Sequence, residues 1–148
     1  LPLGRYQLTI DALKEAKWRN LDGSWSAKAR ENGVTTDEEF LGNKEAQEQA
    51  LTDVLRDVEK QSHDKDLFRH VDKTYVGVLG EQIRVTAAGI VASGHREGVA
   101  ATNRYFERKD TEFGGTTKDK AKVMSRAQLA IETRLRKAQD VPYERLWP

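Results

Sequence analysis

The sequence predicts an all-α domain, and three observations carry that reading. Ala46, Ala50, Leu51, Val54, Leu55 and Val58 fall at i, i+4, i+5, i+8, i+9 and i+12, an apolar stripe along one long helix expected from Lys44 to about Lys60. Helix-start chemistry recurs: Thr36 is followed by Glu39 in capping-box spacing, Asn43 precedes the long helix, and Thr86 precedes a run of small residues. Only Tyr75 to Gly80 is β-branched and aromatic enough for a strand, and its glycines leave strand and turn both open.

Each element follows in order. Thr9 to Trp18 reads as a helix, with Ile10, Leu13 and Ala16 at helical spacing. Asn20-Leu21-Asp22-Gly23 is a turn, since Asn and Asp tolerate unusual backbone angles and Gly permits positive φ. The helix opened by Thr36 carries Phe40 and Leu41. After Ser62-His63-Asp64, residues Leu67, Phe68 and Val71 predict another short helix. Thr86 caps Ala87 to His95, a helix so rich in Ala and Gly that it needs close packing to persist, because each Gly costs about 1 kcal/mol against Ala. Gly98 ends it and Val99 to Phe106 forms the next. Lys109 to Thr117, with Gly114-Gly115, is expected to be a mobile loop. A last helix is expected from Lys118 to Ala138, with Ala121, Met124, Ala127, Ile131 and Leu135 inward, and Pro142 prevents its continuation. The aromatics of the tail, Pro142 to Pro148, are expected to pack back onto the domain.

Composition narrows the function classes. A length of 148 residues suits one domain with one core, and 37% hydrophobic against 33% charged residues fits a folded helical chain rather than a disordered one. No apolar run approaches the ~20 residues that span a bilayer, so no membrane insertion is expected. Leu1-Pro2-Leu3-Gly4 has neither the pattern of a signal peptide nor an initiator Met, and the chain is expected to be cut from something longer. The absence of cysteine removes disulfides, thiolate nucleophiles and Cys-bound zinc. His63, His70 and His95 follow no metal-ligand spacing, so no metal or other cofactor is expected; His63 and His70 lie among polar residues and are expected at the surface. A net charge of +1 does not argue for nucleic acid. From Arg104 onward 11 Lys/Arg face 7 Asp/Glu, a basic flank that reads as a solvated helix face or as a holder of acidic glycan. There is no P-loop, GxGxxG, HExxH or GxSxG.

Three blocks in order carry a resemblance. The first is Gly4-Arg5-Tyr6-Gln7, then Ala12-Leu13, then Asp22-Gly23-Ser24-Trp25. The second is Phe40-Leu41-Gly42-Asn43 with Gln47-Glu48-Gln49-Ala50. The third is Val85-Thr86-Ala87-Ala88-Gly89-Ile90, with Ala92, His95, Gly98 and Tyr105-Phe106. Over about residues 4–106 the chain resembles the lysozyme-like peptidoglycan hydrolases of bacteria and phages, muramidases and lytic transglycosylases. The resemblance implies a single lysozyme-like helical domain over residues 1–148 with an added C-terminal helix. It implies cleavage of the β-1,4 bond between N-acetylmuramic acid and N-acetylglucosamine through an oxocarbenium-like transition state, completed by water or by the sugar's own 6-hydroxyl.

In that family a Glu buried among apolar groups on a helix ahead of the Gly-x-Tyr-Gln segment protonates the glycosidic oxygen. Only Leu1-Pro2-Leu3 precede that segment here, so the catalytic Glu is expected upstream of Leu1; Glu97, and after it Glu81, are the in-chain substitutes. Tyr6, Gln7 and His95 are the substrate-binding positions that the resemblance implies, and they are expected to converge on one cleft. A Tyr ring offers a sugar an apolar face and Gln offers a donor and an acceptor. Tyr6 reads equally as a core residue and His95 as a packed structural one. Gln47 and Glu48 read first as local helix-orienting residues, and Trp18, Trp25 and Trp147 as core or rim. The expected partners are peptidoglycan and an immunity-type inhibitor, with delivery to the periplasm or cell wall as part of a secreted antibacterial effector or a phage component. The competing readings are a non-catalytic lysozyme-like module that binds glycan or protein, and a helical interaction domain with no carbohydrate role.

Overall fold

The computed structural model describes residues 2–111 and 125–146. They are mostly helical: α1 (Ile10–Glu15), α2 (Ala27–Glu31), α3 (Asp37–Leu41), α4 (Lys44–Asp64), a 3-10 turn (Leu67–His70), strands β1 (Thr74–Val76) and β2 (Gln82–Arg84), α5 (Ala87–Glu97), α6 (Val99–Thr111) and α7 (Arg126–Lys137). No helix among the described residues is long and apolar enough to cross a membrane. The chain groups into two compact units whose boundary, after Asp57, lies inside α4.

The first unit is built on rings. Thr9 caps α1 by accepting from the Ala12 N–H, but the helix stops short of the expected Trp18. Lys17 turns left-handed at φ 67°, and the N–H groups of Trp18 and Lys17 bond back to Leu13 O and Lys14 O, the Schellman arrangement. A lysine in the position usually given to glycine hid this stop from sequence reading. The reversal drives Trp18 inward. There Trp18, Trp25 and Phe40 pack ring on ring, with Leu8, Leu13, Val34 and the Ala46, Ala50 and Val54 stripe of α4 around them. Gly23 (φ 91°) makes the expected turn after Asn20. Ser26 caps α2, a helix with no counterpart in the sequence reading, and Asn43 caps α4 through Ala46 N. Thr36 caps α3 as expected, although Glu39 reaches back to the Thr35 N–H at 2.8 Å. α4 runs unbroken over 21 residues.

The second unit is built on close helix packing. α5 lies against both α6 and α7. A Cβ on Gly89 would stand 3.1 Å from Leu135 Cδ2, and one on Gly94 would stand 2.8 Å from Val58 Cγ1, so the small-residue helix is held by close packing as expected. Thr86 caps it and Gly98 (φ 99°) ends it. The ambiguous stretch from Tyr75 resolves as half of an antiparallel hairpin, with Tyr75 opposite Ile83 and both buried.

Four expectations are corrected here. His70 is buried, stacked on Phe106, and not a surface residue. α6 continues through Lys109 to Thr111, so the expected loop does not begin at Lys109; the remainder of that loop, 112–117, lies outside the described residues. The last helix starts afresh at Ser125, whose extended backbone (ψ 158°) and complete capping box with Gln128 exclude one helix from Lys118. Lys118, Ala121 and Met124 are outside the described residues, Ala127 is exposed, and Ile131, Glu132 and Leu135 form the inward face. Ile131 and Leu135 are fully enclosed in the second unit. In the tail, Tyr143 is exposed instead of packed back, and Trp147 is outside the described residues.

Candidate functional site

The first block folds into a tight loop. Leu3 and Leu8 exchange both backbone bonds, at 2.8 and 3.0 Å, and Gly4 to Gln7 closes the reversal between them. Leu8 is sunk in the core and fixes one end. Gln47 fixes the other: its Oε1 accepts from Arg5 N at 2.7 Å while its Nε2 donates to Phe40 O and Leu41 O at 3.0 and 3.1 Å. Any Cβ at Gly4 (φ 72°) would collide with Gln47 Oε1, so only glycine lets the loop lie against that amide. Gln47 therefore joins the first two sequence blocks inside one unit, across 42 residues rather than through the local pairing expected of it. Glu48 is exposed and 4.0 Å from Lys44, a local pair.

Held in this way, Gln7 adopts φ 51°, a left-handed conformation that costs a non-glycine residue on the order of 1 kcal/mol. Its Nε2 returns to Gly4 O at 2.8 Å and the side chain is exposed. Tyr6 is half-buried against the aromatic core, with the Arg5 guanidinium 5.8 Å over its ring. Loop and core together present a half-buried Tyr and an exposed Gln in a left-handed backbone state.

The remaining candidates belong to other elements. His95 stands on α5 in the second unit, half-buried, with no hydrogen-bond partner among the described residues; burial first, then Arg96, keeps its pKa below the usual histidine value. Glu81 is bound by Arg136 Nη2 at 2.7 Å, which holds its carboxyl below the ordinary range, the reverse of what a general acid needs. Glu97 is paired with Arg134 Nε at 3.6 Å. Trp18 and Trp25 are core residues whose indole N–H groups bond Asp53 and Asp37, each at 2.9 Å.

Sequence reading missed two polar clusters in the second unit. Glu132, on α7, accepts from the Tyr105 hydroxyl at 2.7 Å and the Val78 N–H at 2.9 Å, and lies 3.4 Å from Lys109 Nζ. His70, Tyr75 and Asp110 form a second chain. Glu132 adjoins Ile131 on an amphipathic helix, and nothing in that spacing tells an inward carboxylate from an outward one. No group of three or more His, Asp or Glu among the described residues could hold a metal ion.

Compared with protein-family models, with curated proteins and with solved structures, the chain matches none.

Proposed function

We propose that the chain is part of a lysozyme-like glycosidase that cleaves the β-1,4 bond between N-acetylmuramic acid and N-acetylglucosamine in peptidoglycan. The observation that carries this reading is the Gly4-to-Gln7 loop. An exposed side chain is kept in a strained backbone state by a buried amide, Gln47, from the second sequence block. Strain that the surroundings over-determine is characteristic of ligand-binding positions. In this reading Gln7 bonds a sugar hydroxyl or acetamido group and Tyr6 offers an apolar ring face. The resemblance implies as proton donor a Glu ahead of the Gly4-to-Gln7 segment; Glu81, held ionised by Arg136, is poorly suited to that role. The protein would act on the cell wall as part of a secreted effector or phage component, with an immunity-type inhibitor as its protein partner.

The test is digestion of purified peptidoglycan by the full-length protein, with mass analysis of the released muropeptides. Reducing-end products indicate hydrolysis, and 1,6-anhydro ends indicate transglycosylation. Replacing the upstream Glu by Gln should lower turnover by about 10²–10⁴-fold. Binding without cleavage by the full-length protein would assign the non-catalytic module instead. Neither binding nor cleavage would remove the glycan reading.

A further inference from the structure

His70 is a fully enclosed imidazole of the second unit, and the proposed chemistry leaves it unused. It is 0% exposed and lies flat on Phe106, with ring centroids 4.2 Å apart. Its Nδ1 is 2.9 Å from the Tyr75 hydroxyl, which donates to Asp110 Oδ1 at 2.7 Å. A phenol has one proton. Tyr75 gives it to Asp110, so its oxygen accepts from His70, and the imidazole is fixed with hydrogen on Nδ1 and a lone pair on Nε2. That Nε2 is buried with no partner among the described residues. One hydrogen-bonded chain thus joins the 3-10 turn, β1 and α6.

We propose that His70 is an acid-sensitive latch of the second unit, locked through Tyr75 and Asp110 at neutral pH and released when the ring takes a second proton. That proton must go to Nε2, creating an enclosed cation whose new N–H has no acceptor. Asp110 on α6 and Asp66 ahead of the turn favour the cation; Arg69 on the turn and Lys73 beside β1 oppose it. Tyr75 faces the ring as a neutral phenol, its own pKa raised by burial and by Asp110. α5, which also packs on the turn, carries His95, Arg96 and Glu97, the last engaged by Arg134. Desolvation prevails, and the His70 pKa falls from 6.5 to about 4.

The sign follows from linkage. The unfolded chain takes up this proton near pH 6.5 and the folded chain only near 4, so the stability is fully present above 6.5 and is lost as pH falls toward 4. Between pH 7 and pH 5 the loss is about twentyfold in the folding constant.

The experiment is urea unfolding of the chain at pH 7 and pH 5, followed through the NMR amide signals of α6 with those of α1 as reference. His70→Phe is measured beside the wild type; it keeps a ring on Phe106 and removes both titrating nitrogens. The expected result is an acid loss for α6 about twentyfold larger in the wild type than in the variant, which keeps the contribution of His95. Equal pH dependence in both overturns the proposal. Should His70→Phe fail to fold, the wild-type imidazole decides. An inflection below pH 5 that coincides with loss of the α6 signals supports the latch, and an inflection near pH 6.5 with those signals intact overturns it.

Discussion

At the centre of residues 2–57 lie Leu8, Leu13, Trp18, Trp25, Val34 and Phe40, and the indole N–H groups among them bond to Asp53 and Asp37, carboxylates that keep some contact with solvent. At the centre of the second unit Ile90, Phe106, Ile131 and Leu135 enclose Glu132 and Lys109, 1% and 3% exposed, together with His70. The first arrangement encloses one charge, the Arg19 guanidinium, which lies over Trp25 and reaches half-exposed Asp37 at the rim; the second encloses a carboxylate and an ammonium against each other. Apolar burial at about 25 cal/mol per Å² does not depend on protonation, whereas an enclosed ion is tolerated only while its partner and its charge state persist. The two units should therefore respond differently to the loss of a partner and to acid.

The largest effect is expected in the second unit. Glu132→Ala strands the Lys109 ammonium, the Tyr105 hydroxyl and the Val78 N–H, and should destabilise the chain by about 3–5 kcal/mol in denaturant unfolding. The double replacement Glu132→Gln with Lys109→Met should cost far less, because it leaves no buried charge. If the double variant is as unstable as Glu132→Ala, the contrast between the units rests on shape rather than charge.

A smaller effect is expected among the rings. Trp18→Phe keeps the aromatic contact but loses the bond to Asp53, at a cost of about 1.5–3 kcal/mol. That cost should be the same at pH 7 and pH 5. Asp53 has its pKa lowered below 3.8: burial opposes the shift, but the bonds from Trp18 and Lys28 outweigh it. Its contribution is therefore lost only as pH falls below that range. Urea midpoints at the two pH values check this, and a pH-dependent cost would erase the distinction drawn between the units. Smaller again is Gln47→Ala, which frees the loop N–H of Arg5 to water and should cost about 1–2 kcal/mol in the same assay.

Legibility divides along the same line. The caps at Thr36, Asn43 and Thr86, the α4 stripe and the tight Ala/Gly helix could all be read, because capping and 3.6-residue periodicity are local. The end of α1 could not, since a left-handed lysine carries no signature in sequence. Nor could the inward turn of His70, Lys109 and Glu132, because a charged residue is assigned to the surface until a partner far along the chain is known: Glu132 and Val78 are 54 residues apart. Of the site, Gly4, Tyr6, Gln7 and Gln47 were legible as a motif, and the conformation that distinguishes Gln7 was not.

The central claim is that the strained Gln7 loop serves glycan cleavage rather than stability. The direct measurement is Gln7→Gly in the full-length protein, comparing peptidoglycan turnover with the unfolding midpoint. Glycine accepts φ 51° freely, so stability should hold or rise by up to about 1 kcal/mol. The side chain that would bond the sugar is gone, so turnover should fall at least tenfold. Unchanged turnover in a variant of equal or greater stability would contradict the account.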